Sequence, residues 1–178
     1  QLEVNAPKCA LTASLNRTGK NITEDKATID RVRDRLRYND QPFPTLAANA
    51  PYRYLGVMVT ANLKWTHQKN AVTKLLIDNS KSIVNSWATR PQQDRSLREV
   101  INAQARYGMA TAPYTITDIL AMRAVVRHAV KKAKNLPRFF PTNFLYNEHE
   151  EFGVGVRDMV EDYEARLVGS LHEALQDG

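Results

Sequence analysis

The spacing of apolar positions changes character near residue 63. Before it, apolar residues come in short runs bounded by turn formers. Cys9–Leu15 reads as a strand, "NRTGKN" at 16–21 as a loop, and "RYNDQPFPTL" at 37–46 as a turn between two strands whose prolines favour an edge position. The segment "PYRYLGVMVT" at 51–60 has the β-branched and aromatic content of a strand. Between these, "ITEDKATIDRVRDRL" at 22–36 puts Ile29, Val32 and Leu36 on one side of a charged helix that Thr23 could cap.

From Thr66 onward the period is helical. Val72, Leu75, Leu76, Ile83 and Trp87 predict a helix over 66–90, stopped by Pro91. A second helix, Asp94–Met109, starts at a plausible cap and carries Leu97, Val100, Ile101 and Ala105. A third starts at Thr115 or Thr117 and runs to about Asn135. Pro137 and Pro141 bound a short linker, "PTNFLYNEHEE" holds a helical turn or two, and Gly153 and Gly155 break the chain before an acidic helix at Val156–Ala174. The expected fold is α+β and mainly α. A small β-hairpin piece occupies 1–62, a three-helix bundle 63–138 and an acidic segment 139–178.

Charge sharpens this division. Residues 63–138 hold 14 Lys/Arg against 4 Asp/Glu, whereas 139–178 hold 2 against 9. A basic block of that size is the footprint of a polyanion-binding surface, most often for nucleic acid, or else a solvated helical face. On the third helix, Ile119, Met122, Val125, Val126, Ala129, Val130 and Ala133 cover one broad apolar face. Arg123, Arg127, Lys131 and Lys134 form a narrow stripe beside it. Like charges in line repel by a few tenths of a kcal/mol per neighbouring pair. An anion meeting the stripe would relieve that cost, and phosphate contacts of this kind are salt-sensitive and blind to base sequence.

Several chemistries lack their residues. There is no GxxxxGK[ST] or GxGxxG phosphate loop, and "HEALQ" at 172–176 lacks the second histidine of a zinc-protease helix. The four histidines and Cys9 share no ligand spacing, so no metal site is expected. Carboxylates gather between Glu148 and Glu164, a pattern that suits a solvated acidic face better than a metal or acid–base site. A lone cysteine fits a reducing compartment, and no apolar run nears the ~18–20 residues that span a bilayer. An intracellular protein is expected (nuclear, cytoplasmic or organellar), with no membrane partner.

The pieces resemble the end of the palm and the thumb of a reverse transcriptase of the non-long-terminal-repeat (LINE-type) retrotransposons. "LEVNAPKCALTAS" at 2–14 is similar to the family's N-x-x-K element at Leu2, Val4, Asn5, Lys8 and Cys9. "YRYLGVMVTANLKW" at 52–65 resembles its YLG element at Tyr52, Tyr54, Leu55, Gly56 and Val57. The third helix, ending in Leu136-Pro137, resembles the family's thumb helix. Phe144-Leu145-Tyr146 and the 152–156 segment "FGVGV" stand where the family has further conserved steps. Phe152 and Val154 depart from the glycine and leucine usual there.

The resemblance implies roles. Lys8 matches the lysine near the incoming nucleotide, an auxiliary proton donor to the leaving pyrophosphate. Tyr52, Arg53, Tyr54, Leu55 and Gly56 would form the primer grip, with strand alternation sending Tyr54 or Leu55 inward as core. The helices of 63–138 would be the thumb, clamping a template–primer duplex through Lys64, Lys69, Lys74, Arg123, Arg127, Lys131 and Lys134. The family's catalytic carboxylates, which hold Mg2+ in the parent polymerase, have no counterpart, since no Asp-Asp pair occurs. The chain also begins at Gln1 rather than methionine, as a processed product or fragment would. It is therefore expected to need no cofactor and to synthesise no DNA alone. It would act as the nucleic-acid-binding part of an RNA-directed DNA polymerase, together with the rest of palm and fingers. A second reading is a non-catalytic relic serving as a structural or RNA-binding subunit of a larger ribonucleoprotein. A third is a helical interaction module whose basic bundle meets an acidic partner, its own tail included.

Overall fold

The computed structural model describes residues 10–12, 14–16, 22–24, 26–38, 40–147 and 153–176. The fold is α+β and mainly α, and the chain divides into two units, Gln1–His67 and Gln68–Gly178. Lys8 lies outside the described residues, as do Cys9 and the 148–152 stretch.

Among the described residues of the first unit, three antiparallel pairs form: β1 (Ser14–Asn16) with β2 (Ile22–Glu24), β3 (Arg37–Tyr38) with β4 (Gln41–Pro42), and β5 (Tyr52–Tyr54) with β6 (Val57–Val59). The helix α1 (Lys26–Arg35) separates the first two pairs and buries Ile29. The Thr23 cap expected from the sequence is instead part of β2. Asp40, with φ 60°, makes the β3–β4 turn; a short polar side chain tolerates that left-handed backbone. Leu11 bridges Thr45, and hydrogen bonds from the Leu11 amide to the Pro44 carbonyl and from the Leu46 amide to the Leu11 carbonyl hold the two segments together. The Thr60 hydroxyl is buried and accepts from the Lys64 amide at 3.0 Å, closing the loop after β6.

The second unit is helical: α2 (Thr66–Val84, shared with the end of the first unit), α3 (Arg90–Ser96), α4 (Asn102–Thr111), α5 (Ile116–Ala133), α6 (Asn143–Tyr146) and α7 (Met159–Gln176). A π-helical turn, Leu97–Ile101, joins α3 to α4. Leu76, Leu97, Ile101, Ile119, Met122, Val130 and Leu145 are fully buried, each worth ~1.5–3 kcal/mol against the exposed state. Gly108 lets α2 and α4 cross closely: a Cβ there would stand 2.5 Å from Val72 Cγ1.

Around Pro91 the structure differs from the sequence expectation. The helix starting at Thr66 ends at Val84, not Pro91, and Trp87 is fully exposed rather than core. The Ser86 hydroxyl donates to the Ile83 carbonyl, and buried Gln93 donates to the Val84 and Ser86 carbonyls at 3.4 and 3.2 Å, satisfying the last turn early. Pro91 instead stands in the first turn of α3, where its missing N–H costs nothing, and Thr89 with Gln92 forms that helix's capping box in place of Asp94.

Thr115 caps α5, its hydroxyl accepting from the Asp118 amide at 3.3 Å while Asp118 Oδ2 accepts from the Thr115 amide at 2.9 Å. Lys69 reaches the same carboxylate at 2.7 Å and stands over the Tyr114 ring. The Lys69 hydrogen bond, then the Thr115 amide, hold the Asp118 carboxyl down at about 2 from its ordinary 3.8. A depressed folded-state pKa contributes stability that is present above about pH 4 and lost as pH falls toward 2. Asp118 is partly exposed, so screening reduces the contribution to about 1 kcal/mol. Thermal melts of the wild type and Asp118→Asn across pH 5 to about 2 should therefore converge as the pH drops.

The acidic segment packs on the helices of its own unit. Amides of Val154, Gly155 and Val156 donate to the carbonyls of Phe144, Asn147 and Leu145, each at 2.8 Å. Gly153 is required there, because a Cβ would fall 1.9 Å from the Asn147 carbonyl oxygen. Arg98, on the π-helical turn, donates to the Val154 and Gly155 carbonyls at 2.7 and 3.0 Å and to Asp94 at 3.1 Å. Tyr163 donates its hydroxyl to the Tyr114 carbonyl at 2.8 Å. Beyond Tyr163, α7 is exposed all round, including Leu167, Val168, Leu171 and Leu175.

Candidate nucleic-acid interface

The stripe of α5 does not present four equivalent cations. Arg123 is drawn inward: its guanidinium pairs with Asp158 at 2.5 Å and lies 4.3 Å from the centre of the Tyr146 ring. Asp158 is itself buried and caps α7, its Oδ1 accepting from the Val160 amide at 3.0 Å. Lys134 pairs with Asp94 at 3.3 Å. The anions that relieve repulsion along the stripe are thus partly the protein's own. Arg106 and Arg157 likewise meet Asp162, at 3.0 and 3.2 Å.

Arg127 and Lys131 face a different surrounding. α5 ends in a Schellman-type stop: Asn135 takes the left-handed φ of 56°, the Leu136 amide donates to the Lys131 carbonyl at 2.8 Å, and the Asn135 amide donates to Lys132. Pro137 follows and prevents the helix from resuming. The chain turns back, and Lys131 Nζ fixes it by donating to the carbonyls of Arg138 (3.0 Å) and Phe140 (2.6 Å). The Phe140 amide donates to the Pro137 carbonyl at 3.0 Å, closing a turn between.

The result is a groove of about 700 Å³ between the second half of α5 and the 136–142 loop. Arg127, His128, Lys131, Lys132, Arg138 and Phe139 line it, and among the described residues no carboxylate does. Lys132 donates to the Asn85 side-chain oxygen at 3.0 Å, a neutral partner. None of the four cations has a carboxylate partner among the described residues. Lys131 and Lys132 also lie at the negative end of the α5 dipole, which accounts locally for basic residues in its last turn. Phe139 is 88% exposed, although Phe140 and Phe144 nearby pair edge to face at 6.3 Å.

The sequence pointed to Arg127 and Lys131 but missed Lys132, Arg138, His128 and Phe139. The signal was present in "KNLPRFF": an asparagine able to take left-handed φ, then Leu-Pro, predicts a reversal that returns the next residues to the helix end.

In the first unit the β5–β6 hairpin presents its tip. Tyr54 faces Val57 in register, leaving Leu55 and Gly56 as a two-residue loop with φ 48° and 87°. Positive φ at both positions defines a type I′ turn, which matches strand twist; glycine fits it, but leucine is strained there. Neither Tyr54 (61% exposed) nor Leu55 (78%) is core. The inward placement expected of one of them fails because Leu55 stands at the turn, outside the alternation, and Tyr54 lies exposed at the end of its short strand. Arg53 is exposed and Tyr52 half-buried. Lys64 is exposed, whereas Lys69 is held by Asp118 and Lys74 is exposed on α2.

Among the described residues no three His, Cys, Asp or Glu side chains converge where a metal ion could sit, and no helix is long and apolar enough to cross a membrane. Comparison of the chain with protein-family models, curated proteins and solved structures gives no match.

Proposed function

We propose that the chain is the nucleic-acid-gripping part, palm end and thumb, of an RNA-directed DNA polymerase of the retrotransposon type. The observation that carries this reading is the groove at the end of α5, on the helix that resembles the thumb, which four cations and, among the described residues, no carboxylate line. Its cations offer phosphate contacts that position a strand without reading its sequence. The β5–β6 hairpin supplies a second exposed surface, with Arg53, Tyr54 and Leu55 at a tip where glycine permits close backbone approach. Catalysis would need carboxylates and Mg2+ that this chain does not offer among the described residues.

The internal pairing of Arg123 with Asp158 and Arg106 with Asp162 favours a second reading. There, the acidic segment masks part of the bundle, and the chain serves as a structural or RNA-binding subunit of a ribonucleoprotein. A fluorescence-anisotropy titration of a primed RNA–DNA hybrid across salt concentrations tests the favoured reading. Binding should weaken with salt with a log–log slope approaching about −3 for contacts from Arg127, Lys132 and Arg138. Absence of binding at low salt would contradict it.

A further inference from the structure

We propose that the groove at the end of α5 holds unpaired nucleotides, with phosphates on Arg127, Lys132 and Arg138 and a base stacked on Phe139. This rests on the nucleic-acid reading above and narrows its ligand from a duplex to a single-stranded stretch.

Three features of the groove carry it. The first is Phe139. A phenyl ring left 88% in water forgoes the burial that an aromatic side chain ordinarily gains, and the aromatic pair beside it, Phe140 with Phe144, does not take it in. In a duplex the base faces already stack on one another, so such a ring finds none to cover. An unpaired base offers its face, whatever its identity.

The second feature is the arrangement of charge around the ring. Arg127, Lys132 and Arg138 line the same groove as Phe139, and no carboxylate lines it with them among the described residues. A polyanionic backbone beside an aromatic platform is the combination that single-strand binders use. A groove of about 700 Å³ lies within the ~300–1,000 Å³ of sites that enclose small ligands, so it can admit a nucleotide rather than merely touch a duplex ridge.

The third is rigidity. Lys131 spends its ammonium on the Arg138 and Phe140 carbonyls, Asn135 fixes the reversal, and Pro137 and Pro141 restrict the loop at both sides. The platform is built before a strand arrives, so binding does not have to order it.

The test uses the full chain with four labelled probes: oligouridine, oligothymidine, and a blunt RNA duplex and blunt RNA–DNA hybrid of equal length. Stacking is worth ~1–3 kcal/mol per base, so Phe139→Ala should weaken single-strand binding by about tenfold or more. Phe139→Trp should preserve it, and neither change should move duplex affinity more than about twofold. Because Phe139 is exposed, both variants should keep the wild-type melting temperature, which separates a lost contact from a lost fold. Comparing the uridine and thymidine probes decides whether the strand is RNA or DNA. If Phe139→Ala leaves single-strand affinity unchanged while Arg127→Glu/Arg138→Glu lowers binding to every probe, the stacking inference is wrong and the grip survives. If no probe binds at low salt, the grip itself is wrong and the inference falls with it.

Discussion

Replacing Arg123 by glutamate is expected to lower the melting temperature of the protein by on the order of 10 °C. Arg123 meets Asp158, which is buried and caps α7, while its guanidinium covers the Tyr146 ring. Removing one partner of a buried ion pair typically costs ~3–5 kcal/mol, since the remaining charge is left without compensation. Arg123 keeps some exposure, which moves the expectation to the lower end. Each kcal/mol is worth a few degrees in a chain of this size. Arg123→Glu adds a second carboxylate to the buried one and should be worse than Arg123→Ala. Asp158→Asn should be milder, because asparagine still caps a helix. Thermal denaturation followed by circular dichroism reads all three. A shift under about 2 °C for Arg123→Glu would show that the acidic segment contributes little to the bundle.

The same geometry decides which residues can report on binding. Charge reversal at Arg123 would disturb the fold and imitate a lost ligand contact. Arg127 and Arg138 are the residues to reverse, since neither has an ion-pair partner among the described residues and both line the groove. The double variant Arg127→Glu/Arg138→Glu is expected to lose about 100-fold in affinity for nucleic acid at low salt, near 1 kcal/mol per lost phosphate contact plus the new repulsion. Its salt slope should fall by about 2, one for each contact removed. Its melting temperature should stay near that of the wild type. Unchanged affinity in this variant would move the binding surface away from α5.

Much of the fold was legible in the residues because helical periodicity and start signals were strong. Thr115, one of the two starts the sequence offered, caps α5, and Ile119, Met122, Val126, Ala129, Val130 and Ala133 are buried together. Boundaries set by side chains distant in sequence were not legible. Gln93 ending α2 at Val84 is one case, and the turn of α5 that Lys131 ties to Phe140 is another. The stripe was legible as a row of charges but not as a division of labour. Whether Arg123 and Lys134 face solvent depends on Asp158 and Asp94, which periodicity on α5 alone does not bring near. Phe139 was passed over because an exposed phenylalanine in a linker has no period to mark it. Leu55 was misplaced for a related reason: a turn residue takes no part in strand alternation.

The most direct test of the groove as the seat of nucleic acid is photo-crosslinking of a 4-thiouridine-containing RNA to the full chain, followed by peptide mapping. Adducts are expected within residues 127–142, centred on Phe139 and lost in Arg127→Glu/Arg138→Glu. Adducts confined to other segments, with none in 127–142, would contradict it.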